Sequence, residues 1–125
     1  MPLSPGLHGS AKLVVADADT AIALHSGDVP VLGTPRLIAL CEEATIAAVA
    51  DQLPAGQTTV GMRVQIDHLA PTHVGSSVAA EATLEKVEGR RLTFTISVTD
   101  HCGLVAAGKV TRVIVETARF LENAR

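Results

Sequence analysis

Three side chains in this sequence combine a chemically capable group with a position where the surrounding pattern is apolar. Glu42 lies inside an almost uninterrupted apolar run, Leu37-Ile38-Ala39-Leu40-Cys41-Glu42-Glu43-Ala44. An enclosed carboxylate is costly without partners, and enclosed acids are where general-base or nucleophilic chemistry is found. Its non-catalytic alternative is a place at the helix margin, or a pair with Arg36 six residues earlier. His68 shares strand parity with Val60, Met62, Val64 and Ile66, so it points into the same apolar space either as a proton carrier or as a hydrogen-bonded core residue. Thr34 directly precedes Pro35 at the start of a helical pattern. It serves there as an N-cap, or its hydroxyl and the free N–H groups of the helix start face a carbonyl oxygen. Arg112 shares parity with Val110 and Ile114, as a buried charge partner or as a side chain leaving the strand edge.

The elements that must position these groups follow from periodicity. A first strand is expected over Ala11–Ala16, after a Pro/Gly-rich start that leaves residues 1–10 poorly ordered. A loop then runs through Gly27-Asp28-Val29-Pro30. The one long helix is expected from Pro35 to Gln52, started by Thr34 and Pro35 and stopped by Pro54 and Gly56. At about 100° per residue, Ile38, Glu42, Thr45, Ile46 and Val49 fall on one side and Leu37, Leu40, Cys41, Ala44 and Ala48 on the other. Apolar on both sides, this helix is expected to be buried and wrapped by a sheet. Strands are expected over Thr58–His68, with Gly61, Arg63, Gln65 and Asp67 opposite the apolar set, then Val78–Val87, Leu92–Thr99 and Leu104–Thr117. Glu88-Gly89 and Asp100-His101-Cys102-Gly103 supply turns between them. Strand, helix and four antiparallel strands make a single α+β domain with one helix on a strongly curved sheet.

Composition narrows the function. The chain has 125 residues, 47% hydrophobic, yet no Trp, no Tyr and two Phe, so its core is built from small side chains. Small side chains bury little area each, which favours sharing the core across a subunit interface. A net charge of −3 with 18% charged residues argues against nucleic acid as a partner, and no apolar run is long enough for a membrane span. Met1-Pro2-Leu3-Ser4-Pro5-Gly6 does not read as a secretory leader, and Cys41 and Cys102 form no disulfide framework. A cytoplasmic location with reduced thiols is expected. No metal-ligand spacing, phosphate loop or Gly-x-Ser-x-Gly motif is present, Cys41 reads as a core residue, and His8, His25, His73 and His101 fall in predicted loops. Neither a metal nor a cofactor is expected.

The run Thr34–Ala44, the segment Gly61–His68 and the segment Val87–Leu92 resemble the hotdog-fold thioesterases, and within them the fluoroacetyl-CoA thioesterase group. The resemblance covers about Leu13 to Phe120. It implies a hotdog fold, a dimer or higher even-numbered homo-oligomer with active sites at the subunit interface, and hydrolysis of acyl-CoA thioesters. The group's catalytic Thr, the Glu eight residues later and the His twenty-six beyond that match Thr34, Glu42 and His68. Its substrate-binding Gly and last-strand Arg match Gly61 and Arg112. The likeness breaks in the lid: His25-Ser26-Gly27-Asp28-Val29-Pro30 contains no aromatic residue, which argues against selectivity for a fluorinated acyl group and leaves a general small or unidentified acyl group as the expectation. The competing expectations are a non-catalytic module that binds acyl-CoA or another small molecule, and another hotdog enzyme such as an acyl-CoA hydratase.

Overall fold

The computed structural model describes residues 3–125. Strand β1 (His8–Val14) leads through a short 3-10 turn at Asp17–Asp19 to helix α1 (Thr34–Val49). Strands β2 (Gln57–His68), β3 (Ser77–Glu88), β4 (Arg91–Asp100) and β5 (Gly103–Glu116) follow, and helix α2 (Thr117–Glu122) closes the chain. The five strands form one antiparallel sheet in the order β1-β3-β4-β5-β2. Helix α1 packs against β1 and β3. Leu37, Leu40, Cys41, Ala44 and Ala48 of the helix join Ala80, Ala82, Leu84, Phe94, Ile96, Val98 and Val110 of the sheet in one core.

The small side chains set how closely helix and sheet approach. A Cβ on Gly9 would overlap the backbone of Ala44 and Ala48, so only glycine lets β1 cross α1 at this distance. This crossing also explains why β1 starts at His8 rather than Ala11. His8-Gly9-Ser10-Ala11 has poor strand propensity, but its backbone pairs with Ala80–Thr83 of β3. His8, Gly9 and Ser10 lie inside the segment expected to be poorly ordered, residues 1–10, of which Met1 and Pro2 fall outside the described residues.

Several boundaries move for tertiary reasons. Helix α1 ends at Val49, where the chain tightens into Ala50 N–H to Ala47 O and Gln52 N–H to Val49 O bonds before Pro54. The β3–β4 turn centres on Gly89-Arg90, with Gly89 at φ 63°, because Glu88 already pairs with Arg91. The last strand stops at Glu116, and α2 follows where the sequence pattern suggested no helix.

Helix α1 is not buried all round. Its Leu37 side is enclosed, while Ile46 is 48% exposed and Ile38 and Glu42 are partly open. That open stripe lies beside β2, the sheet edge, whose Met62 and Val64 are also exposed.

Candidate active site

Strand β2 changes face halfway along, and that change arranges the site. Gly61 pairs with Arg112 and Arg63 with Thr111, leaving Met62 as an extra residue without a partner on β5. Such a bulge reverses side-chain parity. Before it, Thr59 and Gly61 face α1; after it, Val64, Ile66 and His68 do, opposite Val110, Gly108 and Ala106. Strict alternation therefore placed Gly61 on the wrong face. A glycine inside a strand pattern was the available signal of a bulge.

Gly61 sits against the carboxylate of Glu42: a Cβ there would lie 2.5 Å from Glu42 Oε2. The same oxygen accepts a 2.8 Å hydrogen bond from Arg112 Nη1. Arg112 is only 5% exposed, and its guanidinium is otherwise satisfied by Thr59, Nε donating to Oγ1 at 3.0 Å and Nη2 to the backbone carbonyl at 2.9 Å. A buried guanidinium is tolerated when its donors are filled in this way, and here two of its three acceptor atoms belong to Thr59. Of the two positions open to Arg112, the structure selects the buried charge partner. Glu42 does not pair with Arg36, which instead donates to Glu43 at 2.9 Å and lies 3.4 Å from Asp19. Thr59 is the contributor that the sequence did not reveal.

The second cluster lies at the start of α1. Gly33 occupies the N-cap position and Thr34 is already helical, so Thr34 does not cap the helix with its hydroxyl. Its Oγ1 is instead hydrogen-bonded to His68 Nδ1 at 2.8 Å. Burial lowers the His68 pKa below the usual imidazole value, with a weaker opposing influence from the Ala70 backbone. His68 Nε2 is enclosed and has no partner among the described residues. The pair borders a cavity of about 280 Å³ whose other walls include Ala21, Val29, Val31, Leu69 and Pro71.

The structure therefore gathers Glu42, Gly61 and Arg112 in one place and Thr34 and His68 in another. No hydrogen bond or ion pair joins Glu42 to His68 within the protomer. Thr34 and Glu42 are eight residues apart on α1, about 12 Å along the helix axis. Cys41 offers no nucleophile, since burial pushes its thiol up to about 11.

Comparison with known proteins identifies the family of the chain. The chain is 30% identical over 95 residues to the fluoroacetyl-CoA thioesterase of Streptantibioticus cattleyicolor, covering 76% of this chain and 68% of that one. A solved variant of the fluoroacetyl-CoA-specific thioesterase in complex with fluoroacetate and CoA superposes with a TM-score of 0.88 at 27% identity, over 94% of this chain and 99% of that one. A thioesterase superfamily member from Thermus thermophilus gives a TM-score of 0.88 at 25% identity, over 97% and 90% of the two chains. Residues 15–118 match the family described as fluoroacetyl-CoA-specific thioesterase. With a hotdog fold and this match along most of its length, the chain belongs to the fluoroacetyl-CoA-specific thioesterase family, whose members are thioester hydrolases.

Proposed function

We propose that the protein hydrolyses a small acyl-CoA thioester at a site completed by two copies of the chain, the Glu42–Gly61–Arg112 cluster of one protomer facing the Thr34–His68 cluster of the other. The observation that carries this reading is the separation of the two clusters along α1 beside an uncovered sheet edge. An exposed edge strand is a template for pairing with another strand. Symmetric antiparallel pairing of two β2 strands, centred between Val64 and Gln65, sets Gly61 of one protomer opposite His68 of its mate. It also covers the Met62, Val64 and Ile46 side chains that the single chain leaves open.

In the assembled site the thioester carbonyl is polarised by the Gly61 N–H and by the start of α1, where backbone donors face developing negative charge. Glu42, oriented by Arg112, takes a proton from water as the water oxygen bonds to the carbonyl carbon; attack by Glu42 itself, through an anhydride that water then cleaves, uses the same geometry. The tetrahedral oxyanion collapses, the C–S bond breaks and the sulfur leaves with the bonding electron pair. With Nδ1–H donating to Thr34 Oγ1, His68 keeps a free lone pair at Nε2. It accepts the proton from Glu42 there and passes it to the sulfur, so the products are the carboxylic acid and free CoA thiol.

The test is complementation. Wild type releases thiol from short acyl-CoAs, whereas Glu42→Gln and His68→Ala proteins are each nearly inactive. After the two variants are unfolded and refolded together in equal amounts, half the dimers are mixed and each mixed dimer carries one intact site. Activity then returns to about a quarter of the wild-type level. A mixture as inactive as its components places the whole site in one protomer and ends this reading; wild type that binds acyl-CoA without releasing thiol ends hydrolysis altogether.

A further inference from the structure

The turn between β4 and β5 gathers donor groups that neither active-site cluster uses. Asp100 pairs with Gly103, which sits at φ 125°, so His101 and Cys102 form the tip of a two-residue loop. Asp100 Oδ1 accepts a 2.8 Å hydrogen bond from the Cys102 N–H, which holds the carboxylate over that tip. One ligand atom from each of Asp100, His101 and Cys102 lies within 4.8 Å of the other two. Among the described residues no other group of three or more His, Cys, Asp or Glu side chains comes together in this way.

The same three residues line a hollow of about 280 Å³ whose other walls include Pro71, Thr72 and His73 of the connection between β2 and β3. The His73 backbone is held by its bridge to Val31, while the residue is exposed. Thr72 is only 2% exposed, and its Oγ1 is enclosed without a hydrogen-bond partner among the described residues. An enclosed hydroxyl without a partner costs free energy, so the wall of this hollow carries a polar position still to be filled. As sequence, Asp100-His101-Cys102-Gly103 reads only as a turn, because the groups facing it come from a different segment.

We infer that this hollow binds a divalent transition ion of the zinc class, held by the Asp100 carboxylate, a ring nitrogen of His101 and Sγ of Cys102, with His73 in the fourth position. The inference is independent of the hydrolytic reading. Mixed oxygen, nitrogen and sulfur donors suit Zn2+, whereas Mg2+ and Ca2+ take oxygen ligands. Tetrahedral zinc sets its donor atoms about 3.5 Å apart, so the three groups close in by about 1 Å, which rotamer changes at a loop tip supply. Cys102 binds as the thiolate and its proton goes to solvent. Thr72 Oγ1 supplies the outer hydrogen bond that orients a metal-bound group. Four protein ligands make a closed, structural site that ties the β4–β5 turn to the β2–β3 connection. Ala70 and Pro71 border both this hollow and the one at His68, so the tie fastens the segment behind that imidazole.

Cobalt titration of the chelator-treated full-length protein tests the site. Wild type binds one Co2+ per chain, with a near-ultraviolet thiolate-to-cobalt charge-transfer band and the strong visible bands of four-coordination, and Zn2+ displaces it. Cys102→Ser loses the charge-transfer band and binds about tenfold more weakly. The other thiol, Cys41, is buried in the core and supplies no substitute. His73→Ala keeps the charge-transfer band but loses the strong visible bands as water takes the vacated position. Zn2+ raises the Tm of wild type and leaves that of Cys102→Ser unchanged. His73, His101 and Cys102 are all exposed, so far-ultraviolet circular dichroism stays the same in each variant. Cobalt bound without a charge-transfer band, no binding at all, or the same band in Cys102→Ser overturns the site. Visible bands unchanged in His73→Ala overturn the four-ligand tie.

Discussion

The two clusters on α1 are built on opposite principles. Around Glu42 every strong group in view has a partner inside the protomer: Arg112 bridges Glu42 and Thr59, and Gly61 leaves room for the carboxylate. Around His68 the arrangement is unfinished, with Nδ1 held by Thr34 and Nε2 enclosed without a partner. A closed charge network is set before substrate arrives, and preorganised electrostatics of that kind are a large part of catalysis. An imidazole with one free nitrogen is the part that still has a proton to move. In the proposed mechanism one half supplies a fixed carboxylate and the other a mobile proton carrier.

Substitutions that treat the two halves differently sharpen or break this contrast. The largest effect is expected from Glu42→Gln, which keeps the shape and removes the base: kcat falls about 1,000-fold in a steady-state thiol-release assay. A loss below tenfold would mean that the carboxylate merely neutralises Arg112. Next comes Gly61→Ala, whose added methyl would meet Glu42 Oε2 and displace it, lowering kcat about 100-fold with far-ultraviolet circular dichroism unchanged. Thr34→Val removes the hydrogen bond to Nδ1 and should cost about tenfold in kcat, because His68 keeps its place but not its fixed tautomer. The smallest effect is in pH. Burial lowers the His68 pKa, so the neutral form that accepts a proton persists to lower pH, and the acid limb of kcat/KM lies below about 6.5. Activity is retained above that limb and lost as pH falls through it; a limb at or above the ordinary imidazole value would show that His68 is not enclosed as the structure has it.

The same contrast separates what could be read locally from what could not. Helix α1, the four later strands and the inward placement of His68 follow from patterns a few residues long, because period 3.6 and period 2 are properties of a short stretch. The spacing of Thr34, Glu42 and His68, together with the family resemblance, was enough to nominate a thioesterase. Thr59 stayed hidden and Gly61 appeared to face outward because a bulge depends on how β2 registers against β5. Helix α2 and the early start of β1 were likewise out of reach, since local propensity is weak there and packing decides.

By itself, then, the sequence determined the long helix and the four later strands, that the core is made of small aliphatic side chains, and which side chains are candidates to act on a thioester. Only the tertiary structure decided that Glu42 belongs to Arg112, seventy residues away, rather than to the nearby Arg36, and that Thr34 serves His68 rather than capping its own helix. The physical reason is the range of the forces that choose. Backbone periodicity is fixed by neighbours along the chain, whereas a buried guanidinium takes whichever acceptors the folded sheet brings within hydrogen-bond distance, because leaving its donors empty in the interior costs more than any local alternative.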